Sequence, residues 1–119
     1  MQEKTLFAAE RAKRAMKCLP FKKKFYLEVS KHGMGSRELC EMPNWTEYVF
    51  APFGVDRAEA HFNWMIRLGI LRREVDGQGL TAKVRLTPLG SKVVEEYEGE
   101  IPRAGLRERI RYNFLRHSS

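Results

Sequence analysis

The sequence predicts an α+β fold, mainly α with one small β-hairpin. Apolar residues recur at helical spacing through most of the chain, and only residues 70–87 alternate apolar and polar side chains. Glycine and proline mark the joins between these segments. With 119 residues the chain has the length for one domain around one core. Residues 1–119 are accordingly read as a single domain: an N-terminal helix over 1–19, a core over 20–97 and a C-terminal helix over 101–117.

Lys4 to Lys17 reads as the first helix, with Leu6, Phe7, Ala9, Ala12, Ala15 and Met16 near one spacing and Arg11, Lys13, Arg14 and Lys17 between them. Phe21 to Lys31 is the second, with Phe21, Phe25 and Val29 four apart. Gly33 is expected to end it with a positive φ. Ser36 is the expected N-cap of a short third helix, Arg37 to Met42, which Pro43 ends. Residues 44–55 form the most aromatic stretch: Trp45, Tyr48, Val49, Phe50 and Phe53, broken by Pro52 and Gly54. A short helix and turn packed on the core is the simplest use of such residues.

Asp56, with Glu59 three residues on, suggests a capping box opening the clearest helix. Its inner face is Ala58, Phe62, Met65 and Ile66; its outer face is Arg57, His61, Asn63, Trp64 and Arg67. Gly69 stops it. Ile70 to Val75 and Leu80 to Leu86 then read as the arms of a hairpin around the turn Asp76-Gly77-Gln78-Gly79. Thr87-Pro88 pairs an N-cap with a first-turn proline. The helix it opens carries Leu89, Val93, Val94 and Tyr97 inward. Ile101-Pro102 is expected to open a last helix to about Arg116, with Leu106, Ile110 and Phe114 as its inner stripe.

The order helix, helix, helix, hairpin is that of a winged helix-turn-helix, here with extra N- and C-terminal helices. The stretch His61-Phe62-Asn63-Trp64-Met65-Ile66-Arg67-Leu68-Gly69-Ile70-Leu71-Arg72-Arg73-Glu74 resembles the recognition helix and first wing strand of regulators of the MarR, PadR and ArsR kind. Val84-Arg85-Leu86-Thr87-Pro88-Leu89-Gly90-Ser91-Lys92-Val93-Val94 resembles their second wing strand and the helix after it. The resemblance covers residues 21–97 and is concentrated in 56–97. The dozen aromatic-rich residues before Asp56 depart from it, because those families have a tight turn there.

The resemblance implies sequence-specific binding of double-stranded DNA and regulation of transcription. The recognition helix would be about 56–68 and the basic wing about 71–87. A helix fits the major groove and reads base edges through side-chain donors and acceptors. Arg57, His61, Asn63 and Arg67 could do so. Trp64 would pack on the insert, touch thymine methyls or meet a protein. Arg72, Arg73, Lys83 and Arg85 would meet the backbone or the minor groove, and Lys22, Lys23 and Lys24 could meet phosphate.

The charge agrees with a polyanionic partner. The net formal charge is +7, with nine Lys/Arg against three acids in residues 1–35 and five against one in 101–119. The apolar stripes of the two terminal helices each need a partner and could pair in one chain or across two; a homodimer is expected, since a two-fold operator is read by a two-fold protein. The alternatives are a winged-helix protein-interaction module in a larger assembly, docking through residues 45–53 or Trp64, and RNA binding.

No nucleophile–base arrangement and no phosphate-cradling glycine loop occurs, so the chain is not expected to be an enzyme. No cofactor or metal is expected. Cys18 and Cys40 lack metal-ligand spacing and are expected as free thiols, with a bridge conceivable only in a hyperthermophile. No apolar run approaches the roughly 20 residues of a membrane span. The opening MQEKTLFAAERAKR lacks the apolar run of a signal peptide, which makes the cytoplasm the expected compartment.

Overall fold

The computed structural model describes residues 2–118. It is mainly helical with one small antiparallel two-stranded sheet. In order the elements are α1 (Gln2–Cys18), α2 (Lys23–Lys31), α3 (Ser36–Glu41), a 3-10 turn (Trp45–Glu47), α4 (Val55–Arg67), β1 (Leu71–Asp76), β2 (Gly79–Leu86), α5 (Pro88–Glu95) and α6 (Leu106–Ser118). Among the described residues no helix is long and apolar enough to cross a membrane.

The core gathers where amphipathic faces meet. Phe25, Tyr26 and Val29 of α2 are buried with Ala58, Phe62 and Met65 of α4, Leu39 of α3 and Val93 and Val94 of α5. The ring of Phe21 sits among them, 4.6 Å from that of Phe25, 5.7 Å from Phe53 and 6.1 Å from Phe62. The aromatic insert closes onto this cluster. Phe50 N–H donates to Pro20 O at 2.8 Å, Lys22 N–H to Tyr48 O at 2.8 Å, and Tyr48 and Val49 are buried. The insert is thus a short turn and an extended return packed on the core. Cys18 and Cys40 are free thiols.

Several termini differ from the sequence expectation, each for a tertiary reason. α2 ends at His32 in extended backbone (φ −136°), and Gly33 does not adopt a positive φ. The chain must straighten there because Met34 pairs with Val84, exchanging bonds of 3.3 and 2.9 Å. Gly33 faces the Glu74 carboxylate so closely that a Cβ would lie 2.5 Å from it. Gly35, not Ser36, caps α3, and Glu38 accepts the Gly35 N–H at 3.3 Å. Gly54, not Asp56, caps α4; Glu59 bonds Arg73 instead of closing a capping box.

Gly69 (φ 81°) turns the chain out of α4 straight into β1. The two strands pair Leu71 with Leu86, Arg72 with Arg85 and Arg73 with Val84. A bulge follows between Arg73 and Val75. Thr87 caps α5 as its sequence suggests: its Oγ1 accepts the Gly90 N–H at 3.0 Å. Gly90 leaves room for a neighbouring backbone, since a Cβ there would lie 2.6 Å from Ile70 O.

The C-terminal helix differs most. Residues 101–105 are not helical; Ile101 is buried and the Ala104 N–H donates to Lys17 O at 2.9 Å. α6 begins only at Leu106, and it turns Tyr112 and Arg116 inward. Leu106, Ile110 and Phe114, the expected inner stripe, are exposed. The surface that receives α6 carries an indole N–H and an imidazole. A phenol and a guanidinium on apolar bodies satisfy these groups, and aliphatic side chains do not. In α1 the inward residues are Ala12, Ala15 and Met16, while Leu6 and Phe7 are exposed.

Candidate nucleic-acid interface

α4 presents one outward stripe between two flanks. The burial of Ala58, His61, Phe62 and Met65 fixes its inner side, which leaves Asp56, Ala60, Asn63 and Arg67 exposed on the opposite side. β1 lies along one flank and α6 along the other.

The ribbon flank is fastened by Arg73. Its guanidinium donates to the Glu59 carboxylate, to Asn63 Oδ1 at 2.9 Å and to Ala82 O at 2.9 Å. Arg73 is therefore half-buried and occupied within the chain. Asn63 is exposed, with its Oδ1 already engaged.

The α6 flank is fastened by two contacts. Trp64 Nε1–H donates to Tyr112 Oη at 2.9 Å, and the Arg116 guanidinium donates to His61 Nδ1 at 2.9 Å and to Ala60 O at 3.2 Å. Because Arg116 can only donate, Nδ1 of His61 accepts and its proton sits on Nε2. Burial, and then the charge of Arg116, hold His61 down to about 3, so the imidazole is neutral at pH 7.

This corrects the placement of His61. The sequence puts it on the outer face of the helix; it is buried, packed edge-on between Phe21 (5.7 Å) and Phe53 (5.4 Å). It cannot reach a base from there. Trp64 is likewise half-buried, with Arg67 and Arg116 each 5.6 Å from its ring. In residues 45–53, Tyr48 and Val49 are buried, and Trp45 and Phe53 are half-buried and pack on the core.

The wing cations do not form one cluster. Arg72 pairs with Arg85 and so shares its face of the ribbon, and Lys83 lies two residues from Arg85 on that same face. Arg73 belongs to the other face, toward α4. Arg85 bonds Val29 O (3.1 Å), Ser30 O (3.2 Å) and Glu74 (3.3 Å), which places its charge at the C-terminal end of α2, where a cation is favoured. Arg72 and Lys83 are exposed. Lys22 donates to Thr46 O at 2.8 Å, Lys23 to Tyr97 O, and Lys24 to Glu47. That lysine run binds the insert and the end of α5 to α2 rather than standing free.

Of the arginines of α4 itself, Arg57 and Arg67 are exposed, and Arg67, Arg116 and His117 line the groove along Ala60, Asn63 and Trp64. Sequence reasoning missed Tyr112 and Arg116. Their four-residue spacing was legible, but the apolar stripe beside it gave the stronger signal. Among the described residues no group of His, Cys, Asp and Glu side chains could hold a metal ion.

The model of the Npun_F0494-like family matches residues 2–116. The chain belongs to the Npun_F0494-like family. In this Npun_F0494-like chain the match spans every element from α1 to α6, including both flanks of α4. No curated protein and no solved structure matches it.

Proposed function

We propose that this chain is a winged helix-turn-helix protein, of the general MarR, PadR and ArsR kind, that binds duplex DNA and regulates transcription. The observation that carries the reading is the outward stripe of α4, fastened by Arg73 to a ribbon that follows it directly. The pairing of Met34 with Val84 supports it further, because it sets an extended segment between α2 and α3 beside the ribbon. In that arrangement α3 and α4 are the helix pair and residues 42–54 replace its tight turn. α4 would enter the major groove with Asn63 and Arg67 toward the bases and Arg57 toward phosphate. A second copy of the chain is the partner we propose for the exposed Leu6 and Phe7 of α1.

A mobility shift with random duplexes at two salt concentrations tests this. Binding should weaken steeply with salt. No binding at low ionic strength overturns it.

One observation favours a protein-docking reading instead. Val75 and Leu80 are cross-strand partners near the ribbon tip, 63% and 77% exposed. An apolar pair at that tip suits a protein surface better than a phosphate backbone.

A further inference from the structure

Toward the start of α6, a recess of about 220 Å³ lies between α4, α6 and the aromatic insert. Arg57 of α4, Arg103 of the segment before α6, and Arg109 of α6 all line it. Phe53, Leu106 and Ile110 supply apolar wall, and no carboxylate lines it.

Four arginines outside the recess meet acids: Arg14 with Glu108, Arg37 with Glu41, Arg85 with Glu74 and Arg73 with Glu59. Among the described residues Arg57, Arg103 and Arg109 have no ion pair. Arg103 stacks over Phe50, 4.7 Å from the ring centroid, and its Nε is buried with no hydrogen-bond partner among the described residues. A buried N–H without an acceptor is unfavourable. Burial, and then the charge of Arg109, hold the Arg103 guanidinium below its ordinary range. Like charges drawn together beside apolar walls are unfavourable until an anion joins them.

We propose that this recess binds a small organic anion, its phosphate or carboxylate head held by Arg57, Arg103 and Arg109 and its apolar body against Phe53, Leu106 and Ile110. Guanidinium groups suit both head groups, which they meet with paired hydrogen bonds. A DNA backbone fits less well, since a sugar–phosphate chain would leave the apolar walls unmatched. The proposal does not depend on the nucleic-acid reading of α4.

The test is calorimetric titration and thermal melting of the whole chain at constant ionic strength. The probes are phenyl phosphate, benzoate, inorganic phosphate and benzyl alcohol. One or both aryl anions should bind one per chain and raise Tm. The stronger of the two identifies the head group. Inorganic phosphate should bind at least about tenfold more weakly, and benzyl alcohol should not bind. Arg57→Gln, at an exposed position, should weaken the aryl anion about tenfold or more without changing the circular dichroism. Arg103→Met should do the same. The proposal is overturned if no aryl anion raises Tm beyond sodium chloride of equal ionic strength, or if both variants bind it as the parent does. It is also overturned if the variants lose duplex binding while no small anion binds, which would assign the recess to the nucleic-acid backbone.

Discussion

The guanidinium of Arg116, two residues from the last described position, donates to Nδ1 of His61 in the middle of α4 at 2.9 Å. Both side chains are buried. The contact fastens the final helix to the helix proposed to read DNA, and it makes His61 a structural residue whose protonation opposes folding.

A pH dependence follows. His61 has an ordinary value of 6.5 and is held at about 3 in the fold, chiefly by burial and then by Arg116, with Arg57 and His117 adding to the effect. Between those values the unfolded chain binds a proton that the folded chain refuses. Stability is therefore full above about pH 6.5 and falls as the pH drops toward 3. From pH 7 to pH 5 this one group should cost about 2 kcal/mol. Urea unfolding of the parent and of His61→Gln at both pH values measures it; equal losses in the two proteins would remove His61 as the cause.

Arg116→Met keeps most of the side chain's apolar length and removes its donors. Nδ1 of His61 and the carbonyl of Ala60 then lose a charged partner. The expected destabilisation is about 1.5–3 kcal/mol, read from the urea midpoint. An unchanged midpoint would mean that the other contacts of α6, Tyr112 with Trp64 and Glu108 with Arg14 among them, hold it in place.

Gly90→Ala is a close test of packing. Alanine is the better helix former by about 1 kcal/mol. The new methyl, however, would lie 2.6 Å from Ile70 O, a carbonyl already held by the N–H and hydroxyl of Thr87 at 3.0 Å each. Because the carbonyl cannot retreat freely, crowding should prevail, with a net loss of about 1–3 kcal/mol. A rise in Tm would show that the α5 junction yields.

For duplex binding the decisive comparison is Arg67→Ala against Lys83→Ala. Arg67 lies on the outward stripe of α4, and Lys83 on the ribbon face turned away from Arg73. Arg67→Ala should cost about 1–3 kcal/mol if it reads a base. If it meets a phosphate instead, the salt slope should fall by about 0.9. Lys83→Ala should change either quantity less. The reverse ranking would place the duplex across the outer face of the ribbon.

Local patterns in the sequence determined much of this protein. The stripe Ala58, Phe62, Met65 sets α4. The turn Asp76-Gly77-Gln78-Gly79 joins β1 to β2, where Val84 is the buried residue, and Thr87-Pro88 opens α5. These signals act within a few residues, where backbone geometry alone decides which side chains share a face. Only the tertiary structure decided which face of α6 turns inward, that Glu59 closes on Arg73 rather than on its own helix end, and that His61 is core. Each of those choices depends on what a distant segment presents. Trp64 and His61 offer a hydrogen-bond donor and an acceptor, Tyr112 and Arg116 answer them, and a periodicity that counts only apolar residues gives such polar pairing no weight.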